Sequence, residues 1–125
     1  MADKTFRLEV VSPDSELYSG EATFLVAQTT VGELGILASH APMLAELAPG
    51  GCVVVTEAGG DRTAFAVQGG FLSVTGESIT VLAEHAQFVN EIDVNAERAT
   101  LESAEAGTAE YWRAKSRVRA VEAVS

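Results

Sequence analysis

The order of hydrophobic periods along the chain predicts a mixed fold, β then α: an N-terminal antiparallel β-sandwich followed by a C-terminal two-helix hairpin. Three observations carry it. From Phe6 to about Phe88 the apolar residues fall in short runs rich in β-branched and aromatic side chains, separated by turn residues. After Glu91 the spacing changes to three and four residues, behind a capping residue, Asp93. Charge divides at the same place: residues 1–91 hold 12 acids and 3 bases, residues 92–125 hold 6 acids and 5 bases.

The expected strands are Phe6–Val11, Ala22–Thr29, Gly35–Leu37, Cys52–Thr56, Thr63–Val67, Gly70–Val74 and Ile79–Leu82. Turn chemistry separates several of them, at Ser12-Pro13-Asp14, Ala58-Gly59-Gly60-Asp61 and Thr75-Gly76-Glu77. Phe6, Leu8 and Val10 alternate with Arg7 and Glu9, as in a half-buried strand. Phe71 to Val74 alternate less cleanly, so that strand is expected to be covered on both faces. Gly69-Gly70 before it allows a bend or a close approach where a side chain would clash. Cys52 runs into Val53, Val54 and Val55 and reads as a buried strand residue rather than a catalyst. As the only cysteine it cannot form an internal disulfide.

Asp93 caps a helix starting at Val94, and Glu97 suits its positive end. Ala96, Ala99, Ser103 and Ala106 form a stripe of small residues expected to be the packing face. Gly107 is expected to end the helix, and Thr108 to start a second one running to about Ala123. Small residues bury little area, so the hairpin reads as a mobile element on a rigid body. The division expected is residues 1–88 for the sandwich and 89–125 for the hairpin.

Several function classes are excluded or disfavoured. A formal charge of −10 opposes generic nucleic-acid binding, which relies on bases neutralising phosphates. No run reaches the roughly 18 apolar residues a membrane span needs, and the N-terminus lacks an apolar signal region. His40 and His85 have no metal-ligand spacing, and no nucleophile elbow, Walker loop or dinucleotide fingerprint is present. No catalytic constellation can be assembled, so an enzyme is not expected.

Four separated blocks then carry a resemblance: Gly32-Glu33-Leu34-Gly35-Ile36-Leu37, Ser39-His40-Ala41-Pro42 with Leu47-Ala48-Pro49-Gly50, Gln68-Gly69-Gly70-Phe71-Leu72-Ser73-Val74, and Ile79-Thr80-Val81-Leu82-Ala83-Glu84. In this order and spacing the chain resembles the epsilon subunits of bacterial F-type rotary ATP synthases, from about Phe6 to the C-terminus. The resemblance implies a non-catalytic central-stalk subunit that couples the gamma subunit to the membrane rotor ring of c subunits and opposes ATP hydrolysis through its C-terminal helices. The alpha and beta catalytic subunits would be further partners. It implies a peripheral location on the cytoplasmic face of the cell membrane.

The resemblance also nominates residues. Glu33 and His40 lie in segments that in the family meet the rotor ring, although Ala38-Ser39 departs from the usual Pro followed by Gly or Asn. His40 also reads as a residue that merely satisfies a turn. Arg113, Lys115, Arg117 and Arg119 would approach acidic segments of the catalytic subunits. By helical wheel, Ala114, Val118 and Val121 fall within about 60° of one another, flanked by those bases. This face fits either an acidic partner groove or packing on the first helix. Some bacterial members bind ATP at Ile/Leu-Asp-x-x-Arg-Ala; here Ile92-Asp93 is present, but Arg98 arrives two residues late, rotated by about 200°. Ile92 and Asp93 serve equally as a staple and a cap. No resident cofactor is expected, and regulatory ATP binding is a secondary reading. The alternative outside this family is a free-standing β-sandwich ligand-binding module, which the small number of aromatics, eight, makes a poor stacking platform.

Overall fold

The computed structural model describes residues 4–125. Seven strands precede two helices: β1 (Phe6–Val11), β2 (Glu16–Thr29), β3 (Gly32–Leu37), β4 (Met43–Glu46), β5 (Cys52–Glu57), β6 (Arg62–Thr75), β7 (Ser78–Phe88), then α1 (Val94–Ser103) and α2 (Ala109–Ala123). A 3-10 turn, Val89–Glu91, leads from β7 to the helices.

Hydrogen bonding runs in the order β1-β7-β6-β5-β2-β3, β4 adds to β6, and β1 also pairs with β2. The sheet therefore wraps back on itself as a flattened, two-layered sandwich. All pairings are antiparallel except β1 with β7. β2 and β6 are long because each serves two sets of neighbours. β2 pairs first with β1 and then, past a register shift between Ala22 and Phe24, with β5 and β3. β6 pairs with β5 in its first half and β4 in its second.

The change of direction in β6 falls at Gly69-Gly70. Both have positive φ, +63° and +112°, and a Cβ on Gly70 would lie 1.9 Å from the carbonyl oxygen of Leu82. Only glycine fits there. Thr63–Val67 and Gly70–Val74, expected as two strands, are thus one strand bent at the glycine pair. β4 was not expected: it has four residues directly after Pro42, too few to display a period of two.

One core lies between the layers. Phe6, Leu8, Val10, Leu25, Ile36, Val53, Val55, Phe65, Val67, Leu72, Val74, Ile79 and Val81 are buried there. The alternation in β1 is as expected. Phe71 and Ser73, however, point outward while Leu72 and Val74 point inward, so β6 is covered on one face there and not both. A smaller core lies outside β5 and β6, where Cys52, Val54, Ala64 and Ala66 meet Ala120 of α2, flanked by Val26, Val89, Ile92, Ala123 and Val124.

Both helix starts are where the capping residues put them. Asp93 Oδ1 accepts from Ala96 N–H at 3.2 Å, and Thr108 Oγ1 accepts from Tyr111 N–H at 3.2 Å. α2 also ends at Ala123, as expected, but two other expectations for the hairpin fail. α1 ends at Ser103, four residues before Gly107. Thr100 and Ser103 turn their hydroxyls back onto Ala96 O and Thr100 O, which competes with helix continuation. The stripe Ala96, Ala99, Ser103 and Ala106 is exposed; the inner face is Val94, Glu97, Leu101 and Ala104. Leu101 and Val94 offer more apolar area than the alanines, and burial follows area.

Candidate functional site

Three regions hold the residues nominated above. The first is the β2–β3 hairpin and the loop after β3. Glu33 is the second residue of β3 and accepts from Gln28 Nε2 at 3.0 Å across the strand pair. The turn ahead of it exposes Val31 at 82%. His40 lies beyond the other end of β3, where its Nδ1 is 2.7 Å from Ala41 O and its N–H donates to Leu37 O at 3.3 Å. At about 3.3 Å per residue, the strand separates Glu33 from Leu37 by roughly 13 Å. Glu33 and His40 are not brought together; they mark opposite ends of β3.

The second region is the apolar outer face of β4, β6 and β7. Phe71 faces Leu82 across β6–β7, Leu82 faces Val11 across β1–β7, and Leu44 lies opposite Ser73, two residues along from Phe71. Directly opposed residues share a face, so these side chains form one patch. Leu44, Phe71 and Leu82 are 69%, 46% and 48% exposed. Sequence reasoning missed this patch because the strand from Phe71 to Val74 was expected to be covered on both faces; the missing signal was which face the bend at Gly69-Gly70 turns inward.

The third region is α2, which presents two faces. Arg117 forms a 3.1 Å ion pair with Glu97, and Arg98 a 3.6 Å pair with Glu122, so this side faces α1. Ala114 and Val121 are one helical turn from Arg117, Val118 is one turn from Glu122, and all three share that side. The stripe therefore packs on the first helix. The opposite side, Trp112, Ser116, Ala120 and Ala123, lies on the sandwich. Spacing of four, four and three residues was the available signal for this second face.

Contact with the sandwich is close and polar at its centre. Gly50 has φ +74°, and a Cβ there would be 2.6 Å from Trp112 Cε3. The Ser116 hydroxyl is fully buried, accepts from Val67 N–H at 3.0 Å and lies 2.5 Å from Gly51 O, its acceptor. Arg119 donates to Gly50 O at 3.3 Å. Lys115 Nζ lies over the Tyr111 and Trp112 rings, 5.7 and 5.5 Å from their centroids. Of the four bases, Arg117, Arg119 and Lys115 are engaged within the chain, and Arg113 has no ion pair or side-chain hydrogen bond among the described residues.

A cleft of about 560 Å³ lies between α2, the middle of β6 and the end of β7. Gln68, His85, Gln87, Glu91, Arg113 and Arg117 line it, and Gln87 Oε1 is buried with no hydrogen-bond partner among the described residues. The nominated nucleotide residues do not meet here: Ile92 joins the small outer core, Asp93 caps α1, and Arg98 is held by Glu122. Cys52 lies beneath α2, where burial pushes its thiol up to about 11, against a smaller lowering by Arg119. No cluster of metal-ligating side chains occurs among the described residues, and no described helix is long and apolar enough to cross a membrane.

Residues 5–89 match the family model for the ATP synthase delta/epsilon chain, β-sandwich domain. An ATP synthase epsilon chain of Rhodococcus opacus is 46% identical over 98% of this chain and 98% of its own length. That of Mycobacterium avium is 48% identical over 94% and 95%. Among solved structures, a chain of the Tetrahymena thermophila mitochondrial ATP synthase central stalk and c-ring shares the fold with a TM-score of 0.62, 20% identity and full coverage of both chains. A chain of the Euglena gracilis mitochondrial ATP synthase does so with a TM-score of 0.66 and 23% identity, over 94% of this chain and 78% of that one.

Proposed function

Because the chain belongs to the family of ATP synthase epsilon chains, non-catalytic subunits of the central stalk, we propose that it joins the gamma subunit to the rotor ring of c subunits and restrains ATP hydrolysis through α1 and α2. The observation that carries the attachment is the exposed apolar patch of Leu44, Phe71 and Leu82 on one outer face of the sandwich. A contiguous apolar face on a rigid body suits a permanent partner. Gamma is the partner assigned to it, and the membrane ring is assigned to the β2–β3 end with Val31 and Glu33. Since His40 sits past the opposite end of β3, its role is separate from that of Glu33: it supports the loop leading into β4, next to the gamma face. The complex is peripheral, on the cytoplasmic face of the membrane.

Residues 1–88 act as the attachment body and 89–125 as the regulatory element. Three of the four bases of α2 are occupied while the helices lie on the sandwich. Engagement of the acidic catalytic subunits by Arg113, Lys115, Arg117 and Arg119 therefore requires α2 to leave β5 and β6. Inhibition and docking are then mutually exclusive uses of the same side chains. The test is ATP hydrolysis by a complex of alpha, beta and gamma subunits with the parent chain or with Arg113→Glu/Arg117→Glu added. Both should bind, and only the parent should slow hydrolysis; equal slowing by the two removes these bases from the mechanism.

A second reading concerns nucleotide. The cleft holding Arg113, Arg117, His85 and Gln87 Oε1, which has no partner among the described residues, supplies cations for phosphates and an acceptor for an amino group. Regulatory ATP bound there would bridge α2 to the sandwich and favour the docked state; Ile92 and Asp93 would support the rim and Arg98 would not take part. Arg113→Ala should weaken ATP binding measured calorimetrically, and Arg98→Ala should not; the reverse order rejects the assignment.

A further inference from the structure

The β5–β6 ladder pairs Cys52 with Ala66, so the next rung should pair Gly51 with Val67. That rung is not made directly. Val67 N–H instead donates to Ser116 Oγ at 3.0 Å, and the same hydroxyl lies 2.5 Å from Gly51 O and 3.1 Å from Val67 O. A hydroxyl has one proton to give and lone pairs to receive, so it can accept from Val67 and donate to Gly51 at once. A helix side chain has been inserted into a split in the sheet, where it completes the rung. Ser116 is fully buried, and the surrounding contacts of Trp112 on Gly50 and Ala120 on Cys52 and Ala66 exclude water from it.

We propose that Ser116 is a latch: its hydroxyl is a removable rung of the β5–β6 ladder that holds α2 docked, and withdrawing it opens the sheet at Gly51 and Val67. This rests on the reading that α2 leaves the sandwich. Its consequence is selective. With the hydroxyl in place, a buried donor and a buried acceptor are both satisfied; with it deleted, both lose their partner while α2 stays docked. Undocked, the two backbone groups meet water and lose nothing. Deletion therefore raises the free energy of the docked state alone and shifts the population toward the undocked one. The other sandwich-facing residues, Trp112, Ala120 and Ala123, bring no hydrogen bond to this rung, so the latch resides in the Ser116 hydroxyl.

The experiment is amide hydrogen exchange on the isolated full-length chain, parent and Ser116→Ala, read at Val67 and at the inner-core residues Leu72 and Val81. Exchange at Val67 should rise roughly ten- to hundredfold in Ser116→Ala, with Leu72 and Val81 changed far less. Emission of the single tryptophan, Trp112, should shift to the red in parallel. A second variant, Ser116→Cys, keeps a weak donor and acceptor and should fall between the two. Unchanged exchange at Val67 in Ser116→Ala overturns the latch. So does a uniform rise at all three amides, which would make Ser116 a contributor to general stability. No other subunit enters the experiment, so its failure leaves the attachment to gamma untouched, and a failure to bind gamma leaves the latch intact.

Discussion

Two side chains have their protonation set by where the fold puts them. Tyr18 packs edge-on against Phe65 and Phe88, with centroids 5.4 and 6.0 Å away, and donates its hydroxyl to Glu57 Oε2 at 2.6 Å. Desolvation first, then the hydrogen bond and charge of Glu57, raise its pKa well above the phenol's ordinary value. Tyr18→Phe should cost about 1 kcal/mol in urea unfolding near neutral pH, the worth of one hydrogen bond. That cost should shrink above about pH 10, where the unfolded phenol ionises and the parent loses the advantage. Cys52 follows the same sign. Its unfolded thiol ionises near 9.0 and its folded thiol near 11, so its contribution is whole below pH 9 and is lost as pH rises from 9 to about 11. Over that interval Cys52→Ala should lose less stability than the parent; parallel losses would show that the thiol ionises alike in both states. That Cys52 is buried was legible from the valines after it. The role of Ser116 was not, because serine has no preferred side in a helical pattern and only the broken ladder beneath reveals what it does.

At the scale of elements, most strands were legible because alternation, β-branching and turn residues agreed, and the helix starts because Asp93 and Thr108 both cap. What failed did so for physical reasons. β4 is too short to show a period, and β6 looked like two strands because Gly69-Gly70 reads as a break rather than a bend. The inner face of α1 was misread because small residues were weighed by regular spacing rather than by the area they bury. This correction is testable by thermal or urea unfolding. Leu101→Ala should loosen the hairpin by about 1–2 kcal/mol, below the range for a fully buried leucine since Leu101 is half-buried. Ala99→Lys should change stability by no more than about 0.5 kcal/mol, as for an exposed site. A large loss at Ala99 and none at Leu101 would restore the small-residue stripe as the packing face.

The whole molecule joins two kinds of mechanical part. Torque needs a stiff body, and the wrapped seven-stranded sheet with its continuous core supplies one. The proposed regulation needs an element with two states, and α2 meets the sheet through one narrow face, Trp112, Ser116, Ala120 and Ala123, that the helix can leave as a unit. The β body and the hairpin were both legible in the chain's change of period, whereas the exposed apolar patch became visible only with the fold, since exposure of Phe71 and Leu82 depends on which way β6 bends. The most direct test of the account is the binding of this chain to a complex of alpha, beta and gamma subunits, measured by co-sedimentation for the parent and for Phe71→Asp/Leu82→Asp, with circular dichroism to establish that both are folded. The account predicts that the parent binds in a fixed ratio at micromolar concentration and that the folded double variant does not. Binding by neither would contradict the attachment to gamma, and equal binding by both would contradict the face assigned to it.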